Sequence, residues 1–98
     1  MSNSHVTILG FMTVRPGTED VLQAAASDVV AKTRSEAGCV SYDLLQNAKD
    51  STKFVFYERF IDQTAFDHHL EQPYVQTWIE LAESYGATFD IGLWHGLT

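Results

Sequence analysis

The 98 residues predict an α+β fold, the ferredoxin-like β-α-β-β-α-β arrangement with helices on one face of a four-stranded antiparallel sheet. Three observations lead there. Four stretches, near residues 5–14, 40–46, 53–60 and 87–95, carry apolar residues at strand spacing. Apolar residues three and four apart mark helices after the first and third of these stretches. Between the second and third only a short polar segment intervenes, so those two strands form a hairpin.

The first strand, HVTILGFMTV, has apolar residues in both phases: Val6, Ile8, Met12 and Val14 against Leu9 and Phe11. Arg15-Pro16-Gly17 stops it. Thr18 suits a helix N-cap, with Glu19 and Asp20 in a first turn that favours negative charge. The helix runs from about Glu19 to Glu36, burying Leu22, Ala25, Ala26, Val29, Val30 and Thr33, and Gly38 is placed to end it as a glycine cap. The second strand puts Val40, Tyr42 and Leu44 in one phase, and Asn47 to Thr52 forms the turn.

The third strand, KFVFYERF, sets Phe54, Phe56, Glu58 and Phe60 on one side and Val55, Tyr57 and Arg59 on the other. Asp62 then offers an N-cap oxygen to a short helix whose stripe is Phe66, His69 and Leu70. Pro73 closes that helix and opens the next, since proline suits a first helical turn. The last helix turns Tyr74 or Val75, then Trp78, Ile79 and Ala82 inward, and Gly86 ends it. The final strand alternates Phe89, Ile91 and Leu93 against Thr88, Asp90 and Trp94. Strand and short helix together aim one carboxyl group, Glu58, and one imidazole, His69, into the same apolar space.

Helices cover one face of such a sheet and leave the other open. The first and third strands are apolar in both phases, so a lone subunit would expose a large apolar patch. A homodimer packed sheet against sheet about a two-fold axis is the expected remedy.

Composition narrows the class. Residues 1–98 read as one domain with a single core; 45% apolar residues is a globular content. A formal charge of −7 argues against nucleic acid or an anionic membrane as partner. No apolar run approaches the roughly 20 residues of a membrane helix, and MSNSHVTIL lacks a secretory pattern. The single Cys39 excludes an internal disulfide and fits a reducing, cytoplasmic setting.

The chain resembles the antibiotic biosynthesis monooxygenase family of dimeric α/β-barrel proteins. Arg15-Pro16-Gly17, Thr33-Arg34, Glu36-Ala37-Gly38-Cys39, Tyr42 and Leu44 carry the resemblance in the first half. Phe54, Tyr57-Glu58, Phe60, Ala65-Phe66, His69-Leu70 and Pro73 carry it in the second. The family includes cofactor-free monooxygenases of phenolic or quinol-type substrates, haem-degrading enzymes and an isomerase of a phosphorylated sugar. The resemblance implies a pocket between sheet and helices, faced by Tyr42, Leu44 and the Phe54 side of the third strand. It also implies a dimer interface on the Tyr57 side. Phe56, Phe60 and Phe66 stand where polyketide-oxidising members have hydrogen-bonding side chains, so an identical substrate is not expected. His69 and Ile79 stand where the haem-degrading branch has a Trp and its iron-binding His.

The residues themselves offer a compact set of candidates. His69 is the candidate general base, because imidazole exchanges protons near neutral pH; the alternative is a packed histidine. Glu58 either orients His69 or pins a backbone amide or Arg34, since a lone buried carboxylate is costly. Tyr42, Phe56, Phe60, Phe66, Tyr74 and Trp78 are either the walls of a flat substrate pocket or plain core. Neighbouring His68 and His69 point about 100° apart on a helix, and no metal-ligand spacing occurs, so no metal is expected. Cys39 reads as packing, and no glycine-rich phosphate loop is present.

The expected function is cofactor-independent monooxygenation of a small aromatic or quinol-like molecule, with no cofactor. A cofactor-free isomerase or tautomerase, and a small-molecule binder without catalysis, are the alternatives.

Overall fold

The structure, a computed structural model, describes residues 5–98. The expectation drawn at the N-terminus, that no secretory leader precedes the first strand, rests partly on residues 1–4, which lie outside that range. The elements follow as β1 (Val6–Thr13), α1 (Glu19–Thr33), β2 (Cys39–Gln46), β3 (Lys53–Phe60), α2 (Gln63–Leu70), α3 (Pro73–Ser84) and β4 (Thr88–Trp94). The strands pair antiparallel in the order β2-β3-β1-β4, the ferredoxin-like topology.

All three helices lie on one face. There Ile8, Met12, Tyr42, Phe54, Phe56 and Phe60 from the strands meet Leu22, Ala26, Val29, Phe66, Val75, Trp78 and Ala82 from the helices, all buried. The register sets Phe56 opposite Gly10, and Gly10 opposite Ile91, across the middle of the sheet. The other face holds the opposite phase: Leu9, Phe11, Leu45, Val55, Tyr57 and Trp94, with Phe11, Leu45 and Trp94 each about half exposed. No helix among the described residues is long and apolar enough to cross a membrane.

Local details depart from the sequence reading in four places. Thr18 donates its hydroxyl to the Arg15 carbonyl and makes no side-chain cap on α1; Glu19 instead accepts from the Gly17 amide. The helix stops at Thr33, and Gly38 does not adopt a left-handed cap conformation. A register shift between Cys39 and Ser41 turns Val40 outward, whereas Cys39 sits opposite Phe60. Leu70 is largely exposed rather than buried. By contrast, the Asp62 carboxylate accepts from the Ala65 amide at 2.8 Å, Pro73 occupies the first turn of α3, and Gly86 closes that helix at φ +83°.

Gly38 serves close packing instead. There β2 begins against α2, and a methyl group at Gly38 would overlap the Ala65 side chain. Gly38→Ala is expected to cost about 2 kcal/mol of stability through overpacking, measured by urea unfolding. Gly17→Ala, where nothing lies within contact of the added carbon but φ is +94°, serves as a purely backbone comparison.

Candidate active site

The site grows from three pieces of local structure. Strand alternation on β3 points Phe56 and Glu58 toward the helices, beside Tyr42 on β2 and Gly10 on β1. The Asp62 cap starts α2 so that Phe66 and His69, three apart, both face inward. The turn after α1 carries Glu36 in beneath α2 and α3.

His69 is 2% exposed and its ring is held from both sides. Nδ1 lies 3.0 Å from the Glu36 carboxylate, which also accepts the Tyr74 hydroxyl. A carboxylate that accepts from both neighbours places a proton on Nδ1, so in the neutral imidazole the lone pair is on Nε2, the nitrogen turned away from Glu36. Nε2 is 4.0 Å from Oε1 of Glu58, too far for a direct bond. Phe60 and Tyr42 pack on the ring with centroids at 5.1 and 5.5 Å.

On the far side of His69 lies a cavity of about 230 Å³. Tyr42, Phe56, Phe66, Trp78, Phe89 and Ile91 make its apolar walls, with Gly10 in the floor. Glu58 and His69 enter from one side, and exposed Leu70, Ile91 and Glu83 stand at the rim. No Lys or Arg lines it.

Electrostatics distinguishes the two glutamates. Burial, with the Glu36 charge adding to it, pushes the Glu58 carboxyl from an ordinary 4.5 up to about 8. At neutral pH Glu58 is therefore an acid with a proton to donate. Burial, and secondarily the Glu58 charge, pushes the Tyr42 hydroxyl upward, so it too stays protonated. Burial and the bond to Glu36 carry Tyr74 up to about 12, with the Thr33 hydroxyl working in the opposite direction. The Cys39 thiol is raised by burial and then by Glu36, which makes it a poor nucleophile.

Six of the eight residues singled out from sequence meet at this cavity: His69, Glu58, Tyr42, Phe56, Phe66 and Trp78. Two do not line it. Phe60 is fully buried with Ile8 and Phe66, behind His69 rather than beside the space. Tyr74 lines a surface groove instead, where it bonds Glu36 and packs against the core from the helix side. The pairing is also different from expectation: Glu36, not Glu58, bonds the imidazole, while Arg34 pairs with Asp43 and the Tyr42 carbonyl, not with Glu58. His68 is exposed beside Gln72, and no three metal-ligand side chains converge among the described residues.

The model of the family described as antibiotic biosynthesis monooxygenase matches residues 5–81. The chain belongs to this family. Rv0793 of Mycobacterium tuberculosis, named provisionally as a monooxygenase, is 34% identical over 71 residues, which are 72% of this chain and 69% of that one. Its solved structure superposes with a TM-score of 0.88 at 25% identity and covers 97% of both chains. An uncharacterised Synechocystis protein, sll1783, is 27% identical over 75 residues; the match takes in 76% of this chain but spans only 51% of that relative. SnoaB from Streptomyces nogalater, described as a cofactor-independent oxygenase and solved as a point mutant, shares the fold. Its TM-score is 0.87 at 21% identity, covering 97% of this chain and 95% of that one.

The raised Glu58 generates a signed prediction. Its folded pKa lies above the unfolded value, so the folded state holds an extra proton between about 4.5 and 8. Stability is then greatest on the acid side of this window and falls as pH rises through it. Glu58→Gln, which mimics the neutral acid, is expected to flatten that fall and to exceed wild type by about 4 kcal/mol near pH 8, read from urea unfolding at pH 5 to 9.

Proposed function

We propose that the protein is a cofactor-independent monooxygenase of small phenolic or hydroquinone-type molecules, with His69 as general base. The carrying observation is the 4.0 Å gap between His69 Nε2 and Glu58 Oε1, on two side chains that both line the cavity. One side offers a lone pair, the other an acid proton. A hydroxyl oxygen about 2.8 Å from each fits between them, giving its proton to Nε2 and accepting one from Glu58. That is the hydrogen-bond pattern of a neutral phenol.

Ground-state oxygen has two unpaired electrons and reacts poorly with closed-shell molecules until they are made electron-rich. Transfer of the hydroxyl proton to Nε2 produces such a phenolate, and Glu36 balances the imidazolium as the carboxylate of a catalytic triad does. The anion passes one electron to oxygen, and the two radicals join at a ring carbon that bears hydrogen, para to the oxygen in a simple phenol or 1-naphthol and ortho to it in a hydroquinone. The peroxide takes the proton back from His69. Loss of the hydrogen on that carbon together with hydroxide, as water, leaves a quinone; one oxygen atom stays in the product and four electrons are accounted for.

We assign the open sheet face to a second copy of the chain. Leu9, Phe11, Val55 and Tyr57 lie in the middle of that face, and a two-fold partner presents the same residues. The buried site and the apolar outer face share strands β1 and β3.

Oxygen uptake with a panel of hydroquinones and naphthols tests the chemistry. His69→Ala and Glu36→Gln should each lower turnover about 100-fold or more, and wild-type rates should fall as pH rises through about 8 and Glu58 ionises. Equal uptake by wild type and His69→Ala removes the mechanism. Turnover unchanged without oxygen converts the reading to an isomerase using the same proton transfer. For the assembly, Phe11→Glu is expected to yield monomers by sedimentation where wild type sediments as a dimer.

A further inference from the structure

Gly10 sits in the interior of β1, where glycine weakens a strand and often marks close approach by a ligand. Nothing in the protein demands it. Its φ is not in the left-handed region, and the pairing of β1 with β3 and β4 runs past it without a bulge. A β-carbon there would meet Phe56 Cβ at 3.6 Å, Glu58 Oε2 at 3.7 Å and Ile91 Cγ1 at 3.7 Å. All three are ordinary contacts, so an alanine fits the empty protein.

What the alanine would fill is the floor of the cavity. The two oxygens of Glu58 face different spaces: Oε1 looks toward His69, and Oε2 borders the space above Gly10. Around that space stand Phe56, Ile91, Trp78 and Phe89, and the rim adds Glu83 without any lining Lys or Arg. At about 230 Å³ the cavity is smaller than the roughly 300–1,000 Å³ of common ligand sites.

Resting on the monooxygenase reading for its chemistry, we propose that Gly10 is the specificity-determining position of the site. It admits an uncharged, flat aromatic of one or two rings, laid edge-on against the strand with its hydroxyl between His69 and Glu58. Anionic aromatics are refused, because a second negative charge would be buried beside Glu58 and Glu36 with no cation to meet it.

Calorimetric titration with 1-naphthol and with 1-hydroxy-2-naphthoate, under nitrogen, tests this on binding alone. Wild type should bind 1-naphthol, and Gly10→Ala should bind it about tenfold or more weakly, the scale of one methyl group in a tight pocket. Thermal stability of Gly10→Ala should equal or exceed that of wild type, since alanine suits a strand better than glycine. The naphthoate should bind wild type about tenfold or more weakly than the naphthol. Equal naphthol affinity in wild type and Gly10→Ala, a destabilised Gly10→Ala, equal affinity for the two compounds, or no naphthol binding at all overturns the proposal. Because no oxygen is present, loss of the monooxygenase reading by the uptake assay leaves these outcomes intact and separately readable.

Discussion

The Glu36 carboxylate is the interaction on which the rest depends. It stands in the turn after α1 and accepts one hydrogen bond from His69 on α2 and another from Tyr74 on α3. One side chain thus ties together three helical segments, adding a polar link where α3 already packs against both α1 and α2. Hydrogen bonds to a charged acceptor are worth roughly 1.5–3 kcal/mol each, and more when both partners are shielded from water. The same two bonds fix the imidazole's tautomer and the direction of its free nitrogen. Architecture and chemistry therefore share a single atom, Oε2 of Glu36.

A second consequence concerns charge. An imidazole between two glutamates, all largely buried, does not favour both carboxyls ionised. The geometry resolves the conflict unequally. Glu36 has two donors in contact, whereas Glu58 has its nearest imidazole nitrogen at 4.0 Å and an apolar surround. Glu58 is the one that keeps its proton, and it stands across from the imidazole nitrogen that Glu36 does not bond. The polarity of the site follows from which glutamate has partners, not from which glutamate lies nearer in sequence to the histidine.

Much of this was legible in the chain, and the parts that were not share a cause. Strand alternation placed Phe56, Glu58 and Tyr42 correctly, the 62–66 cap-and-stripe pattern oriented His69, and Pro73 separated the two short helices. Those signals are local. Glu36 was seen only as part of a family resemblance because its bond to His69 spans 33 positions and no periodicity encodes it. Its one local hint was an acidic residue two places before Gly38, whose close packing against Ala65 draws that turn toward α2. Phe60 and Tyr74 were misplaced as pocket walls for the same reason: alternation and helical spacing tell which way a side chain points, not how far along the layer the empty space extends. The outward turn of Val40 comes from a register shift, which hydrophobic pattern alone does not reveal.

Strand β3 carries two surfaces one residue out of step, and a shift of register by one would exchange them. Phe54, Phe56, Glu58 and Phe60 would leave the helices for the open face, and Val55, Tyr57 and Arg59 would enter. Both faces hold large apolar residues, so hydrophobicity alone distinguishes the two registers weakly. The polar residues break the tie. Arg59 in the helix layer would be a buried cation, a cost larger than the relief that Glu58 would gain by reaching water. Tyr57 inside would need a partner for its hydroxyl where Phe56 needs none. The site is therefore carried against a local cost: burying Glu58 works against this register, and Tyr57, Arg59 and the phenylalanines opposite the helices hold the central strand in it.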